Sequence, residues 1–204
     1  MVIVSRVASA CFILALPIFL VTANVRFLAG DVAFYKHGFR EYDAAQRTGI
    51  ALPELDRSAG QIIDYFENDA DTLRIVVDTD GQEVSLFNPK ETEHMRDVKS
   101  LMQLVFRVNE GALAYIVAYL AAAVLWSRER SVRDLARESL VGVGVGVIAA
   151  GVVGGLALSG FDATWRRFHE LVFSNDLWRL NPATDRLIQM FPQGFWEEAT
   201  LIVV

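Results

Sequence analysis

The chain has 204 residues, 53% of them hydrophobic and 22% charged, with a mean hydropathy of +0.31. That composition excludes an ordinary soluble domain and requires the charges to be segregated from the apolar blocks. The formal net charge of −6, without clustered Lys and Arg, leaves no footprint for nucleic acid, and a lone Cys11 excludes an intramolecular disulfide or a multi-cysteine metal site.

Residues 7–28, preceded by Arg6 and interrupted only by Asn24 and Arg26, are long enough to cross a hydrocarbon core, so 1–30 reads as a first transmembrane helix. A secretory signal peptide is the rival, because Val21-Thr22-Ala23 resembles a cleavage site; the apolar blocks downstream favour a retained anchor. Ala8-Ser9-Ala10-Cys11 resembles a lipoprotein-processing box but precedes the apolar run, and Cys11 is expected simply to pack.

Residues 31–100 are polar, and acidic side chains outnumber basic ones, so this segment is expected on the face opposite the basic loops. Apolar residues at helical spacing through Leu55, Ile62, Ile63 and Phe66 predict an amphipathic helix over 52–66. Two β-rich runs, 73–77 and 83–87, flank Asp78-Thr79-Asp80-Gly81 and predict a strand, turn and strand. This small extracytoplasmic α/β cap is too short to bury a robust core alone and is expected to lean on the membrane helices.

Asn88-Pro89-Lys90-Glu91 reads as a helix start, with an Asn cap, Pro at the first helical position and Glu reaching back to the cap. His94 follows, and Asp97, Val98 and Leu101 share its face, which puts Asp97 where it can orient or charge-balance the imidazole. A histidine beside a carboxylate and near lipid suits proton transfer; a merely solvated charged helix is the alternative reading. The span continues over 101–126, where Arg107 and Glu110 should pair with each other, face the bundle interior or sit at the interface.

The Arg-rich loop over 127–137 marks the cytoplasmic side. Residues 140–158 form a third span in which Gly142 with Gly146, and Gly151 with Gly155, have the four-residue interval of closely approaching membrane helices. The 101–160 hairpin returns the chain to the outer face, where 161–196 is expected to form an interfacial segment. Its 164–172 helix carries Trp165, Phe168 and Val172 on one face, and Trp165, Trp178 and Trp196 fit an aromatic belt. Residues 197–204 read as the start of a fourth transmembrane helix, truncated by the end of the chain. The whole is an all-α polytopic membrane bundle of about four transmembrane helices with a small extracytoplasmic cap.

This topology brings His94 and His169 to one membrane face, with His37 on the same side. No His-Glu-x-x-His run or Gly-x-Ser-x-Gly elbow is present, so metal and serine chemistry lack support and acid–base chemistry remains. Tyr35, Ile62-Ile63-Asp64-Tyr65, Leu86-Phe87-Asn88, Glu93-His94-Met95-Arg96-Asp97-Val98-Lys99, Phe168-His169, Asn175-Asp176-Leu177-Trp178 and 191–196 together resemble the bacterial integral-membrane family of the lipoprotein intramolecular transacylase. The resemblance runs along nearly the whole chain. It implies transfer of the sn-2 acyl chain of a diacylglyceryl lipoprotein to its N-terminal cysteine amine, giving a lyso-form lipoprotein without a cofactor. It implies His94 and His169 as the essential histidines. Asp97 would orient His94, Asn175 or Arg167 would assist the oxyanion, Asp176 would support the site, and Trp178 and Tyr35 would contact substrate. The alternative is a non-catalytic membrane protein that binds lipid or protein through its cap; a transporter is a weaker third reading, given the sparse polar lining.

Overall fold

The computed structural model describes residues 2–79, 81–126 and 132–204. The order of elements is α1 (Val2–Gly30), α2 (Val32–Glu41), α3 (Ala44–Thr48), α4 (Leu52–Glu67), β1 (Val76–Thr79), β2 (Gln82–Ser85), α5 (Pro89–Trp126), α6 (Val132–Val172), α7 (Arg186–Met190) and α8 (Gln193–Val203). Among the described residues three helices, α1, α5 and α6, are long and apolar enough to cross a membrane. Residues 132–137, expected in a loop, form the first turns of α6, while Ser127 to Ser131 and Asp80 lie outside the described residues.

The chain divides into two compact units. The first comprises residues 1–26, 104–155 and 203–204. Its helices meet through small residues and a few polar pins. A Cβ on Gly142 would lie 2.8 Å from the Ile13 carbonyl oxygen, and one on Gly146 3.1 Å from Pro17, so these glycines let α6 approach α1. Gly151 and Gly155 have no such neighbour, so only half of the expected small-residue seam is used. Phe12 stacks on Tyr119 at 4.4 Å, and the Tyr119 hydroxyl donates to Glu138 at 2.7 Å. Asn109 donates to the Phe19 carbonyl and to Thr22 Oγ1. Glu110 pairs with Arg26 of α1 at 2.7 Å, and the guanidinium lies over Phe106, a partner across the helix pair that the sequence does not single out. Cys11 is exposed on α1 instead of packed.

The second unit comprises residues 27–103 and 156–202. Its core holds Phe39, Ile50, Leu55, Ile62, Ile75 and Leu86 from the cap together with Leu187, Met190, Phe191 and Phe195 from the far end of the chain. The cap completes its core with the second polar segment and also packs against Leu28 of α1 and Met95, Val98 and Met102 of α5. Asp31 caps α2 by accepting from Ala33, a helix the periodicity reading did not resolve. Gly38 admits the Phe195 ring, with which a Cβ there would collide. The hairpin is antiparallel, pairing Val76 with Ser85 and Thr79 with Gln82.

The start of α5 is built as the capping arithmetic predicts. Glu91 accepts from the Asn88 amide at 2.8 Å while Asn88 Oδ1 accepts from the Glu91 amide at 3.0 Å. The second Glu91 oxygen accepts from Leu187 N, and Asn88 donates to Asp185, so the same residues fasten α5 to α7. One face of α5, Met95, Val98 and Met102, turns into the core.

Candidate active site

At about 1.5 Å per residue, the 38 residues of α5 are roughly 57 Å long, while a bilayer core needs only about 30 Å. The charged turns over 90–99 therefore stand outside the apolar span, and His94 with them. In α6 the helical dihedrals break at Gly160, whose φ of 155° and ψ of 81° suit glycine. The break separates the apolar span from the 161–172 helix that carries His169.

His94 and His169 come together, their ring centroids 6.1 Å apart and their planes at 35°. Both residues are buried, at 6% and 8% exposure. Phe173, one turn beyond His169, covers the pair, with its ring 5.2 Å from His94 and 5.5 Å from His169. Trp165 meets His169 edge-on at 4.7 Å and stacks on Trp196 at 5.0 Å and Phe168 at 5.3 Å. Trp178 lies 5.1 Å from His169, and the Arg179 guanidinium lies over the Trp178 ring at 4.8 Å. Of the three tryptophans expected as a belt, Trp165 and Trp178 meet His169, and Trp196 meets Trp165.

Burial in these aromatics holds the His94 imidazole below its ordinary range; His169 and Lys90 push the same way and Asp97 opposes them. Burial lowers His169 as well, offset in part by the bond between its Nδ1 and the Trp165 carbonyl oxygen, 2.8 Å away. Both influences favour the neutral ring, the form that can accept a proton.

The structure gives the supporting residues the following partners. Asp97 accepts from Asn175 Nδ2 at 2.9 Å, and Asn175 Oδ1 accepts from Leu177 N, so Asp97 ties down the loop after His169. Arg167 pairs with Glu170 and is 80% exposed; Asp176 pairs with Arg179 and is 79% exposed. Tyr35 is buried against Phe191 and Phe195, its hydroxyl donating to the Ala29 carbonyl, which makes it a core residue here. His37 lies 3.4 Å from Glu198. A groove of about 810 Å³ along the hairpin and the first turn of α5 includes neither site histidine. Among the described residues no group of three or more His, Cys, Asp or Glu is placed to hold a metal ion. The sequence reading missed Phe173 and the carbonyl of Trp165. Both were signalled by spacing, since they lie four residues after and before His169 on one helical face.

Long apolar helices and a polar unit that buries paired imidazoles among aromatics define an integral membrane protein with a two-histidine site. The model of the family described as lipoprotein intramolecular transacylase Lit matches residues 10–196, and the chain belongs to that family. It is a membrane-integral transferase of this type. The solved structure of Lit from Bacillus cereus superposes with a TM-score of 0.82 at 16% identity, covering 100% of this chain and 88% of that one. Two structures of the same protein with one histidine replaced, by arginine or by alanine, give TM-scores of 0.75 at 16% identity. They cover 97% of this chain and 83% and 84% of theirs. At that identity the likeness is one of fold. No curated protein matches the chain.

Proposed function

We propose that the protein moves the sn-2 acyl chain of a diacylglyceryl lipoprotein onto the amino group of its N-terminal cysteine, using His94 and His169 at the extracytoplasmic membrane surface. The observation that carries this reading is the approach of two buried imidazoles from elements far apart in the chain. Ester-to-amide transfer needs a proton removed from the attacking nitrogen, charge on the carbonyl oxygen stabilised and a proton delivered to the glyceryl oxygen. Donor and acceptor belong to one molecule, so holding them in contact supplies effective concentration and no activated cofactor is required. Trp178, Trp165 and Phe173 offer apolar surface for the acyl chain. The replaced histidine in two of the Bacillus cereus structures agrees with a histidine of functional interest in the family. The acidic 31–99 segment and the Arg-rich 127–137 segment support the outer placement.

The test is to incubate the purified protein in lipid with a synthetic diacylated lipopeptide. Product and substrate are isomers, so tandem mass spectrometry must locate the chain. The reading expects the acyl group on the amine; tight lipopeptide binding with no rearrangement would instead favour a non-catalytic binder.

A further inference from the structure

The paired imidazoles are walled in, since His94 is 6% exposed and His169 8%. An amine and an ester must come within hydrogen-bond reach of those rings before a proton can pass between them, so part of the wall has to give way. Phe173 marks which part. Its ring centroid lies 5.2 Å from that of His94 and 5.5 Å from that of His169, which are themselves 6.1 Å apart, so the phenyl ring fills a flank from which a group could touch both imidazoles. Phe173 opens a segment unlike the helices that carry the histidines. Residues 173–179 form no helix or strand, and Ser174, Asn175, Asp176 and Arg179 are exposed. The segment carries its own scaffold: Asn175 Oδ1 accepts from Leu177 N at 3.0 Å, and Asp176 accepts from the Arg179 N–H through its carbonyl at 3.1 Å and from Arg179 Nε through its carboxylate at 2.7 Å. Its ties to α5 are exposed, Asn175 to Asp97 at 2.9 Å and Lys90 Nζ to the Arg179 carbonyl. Beyond Leu180, which packs against the core, the ties are buried ones, from Asn88 to Asp185 and from Leu187 to Glu91, whose carboxyl residues are 6% and 1% exposed. Exposed hydrogen bonds open at far lower cost than buried ones, so the stretch from 173 to 179 is the part of the wall that opens first.

We propose that residues 173–179 are a lid: the segment swings off α5 as one body, pivoting at the end of α6 and at Leu180, and closes again with Phe173 and Trp178 over the bound lipid, latched by Asp97 and Asn175. What enters beneath it rests on the acyl-transfer reading given above, in which the diacylglyceryl end of the lipopeptide displaces Phe173 from the flank of the rings. Closure then keeps water, a competing nucleophile for the ester, away from the carbonyl carbon. The lid gives Asp97 a function without contact to the reacting atoms. It gives the Asp176–Arg179 pair one as well, as the brace that lets the segment move whole.

The test uses the full-length protein in lipid, with Cys11→Ser removing the native thiol. Asp97→Cys and Asn175→Cys are introduced together and bridged by a short bis-thiosulfonate, which reductant removes. Diethyl pyrocarbonate then reports how readily each imidazole is reached, read by mass spectrometry of peptides, with the half-exposed His37 as internal reference. Bridging is expected to slow modification of His94 and His169 by at least about tenfold, leave His37 unchanged and cut acyl transfer to below about a tenth, with reductant restoring both. Asn175→Ala, which loses the latch without a change of charge, is expected to speed modification of both rings by about threefold to thirtyfold. A bridged protein modified as fast as its reduced form, or one that loses transfer with modification unchanged, overturns the lid. So does an Asn175→Ala protein modified no faster than wild type. If wild type yields no amine-acylated product, the transacylase reading fails, and the modification rates still decide whether the segment opens.

Discussion

Asp97 and Asn175 show how a side chain near a histidine can serve it without touching it. Their hydrogen bond joins α5, three residues after His94, to the loop three residues beyond the end of α6. Asp97→Ala and Asn175→Ala are each expected to slow acyl transfer by about threefold to thirtyfold, in line with losing a charge-assisted bond of roughly 1–2 kcal/mol. The double variant should be no slower than the worse single one, because both remove the same tie. Additive losses in the lipopeptide assay would mean the two residues act separately.

The burial of His94 has a pH signature with a definite sign. Its folded-state pKa is pulled down to about 4, so the unfolded chain binds the proton more readily over the range below the unperturbed value of about 6.5. The stability associated with the neutral ring is present above about 6.5 and is lost as pH falls toward 4. The thermal midpoint of wild type is expected to decline across that window more steeply than that of His94→Gln. Parallel declines would show that the ring is not held neutral by its surroundings.

Much at this scale was legible because it depends on local spacing: both histidines and the Asn88 to Glu91 capping box are where the sequence places them. What was not legible depends on which neighbour arrives first. Asp97 could reach His94 or Asn175, and Glu110 could reach Arg107 or Arg26; helical periodicity ranks neither choice.

Among the elements, the start of α5 carries the most consequence for the site, because it positions His94. Glu91 is 1% exposed and both of its oxygens accept backbone N–H groups, from Asn88 and Leu187. Replacing it by Ala leaves two donors unpaired, at about 1–3 kcal/mol each. Glu91→Ala should lower the thermal midpoint by several degrees, and a midpoint unchanged from wild type would remove this staple from the account. In α6, Gly142→Val drives a side chain into the Ile13 backbone, with an expected cost of about 1–3 kcal/mol, whereas Gly144, with nothing within 4 Å of its Cβ position, should tolerate the same change. Equal stability of the two variants on thermal unfolding would deny Gly142 its contact role. Glycine intervals in the sequence identified a packing helix but could not select which glycines face a partner, since the other interval looks identical and contacts nothing.

The molecule as a whole combines apolar helices sized for a bilayer with a polar unit whose core is closed by segments from both halves of the sequence. Hydropathy made the spans readable. The core of the polar unit was not, because Leu187, Met190, Phe191 and Phe195 are short apolar clusters among breaks and prolines, with no period that reveals their destination. Arg and acidic asymmetry is the sequence signal of orientation across a bilayer.

The most direct trial of the two-histidine account is the single-turnover rate of O-to-N acyl migration in wild type, His94→Ala, His169→Ala and the double variant, reconstituted in one lipid. Residues that act as a unit should give a double variant little slower than the worse single one, with every single variant down at least about a hundredfold. Wild-type speed in either single variant would contradict the account.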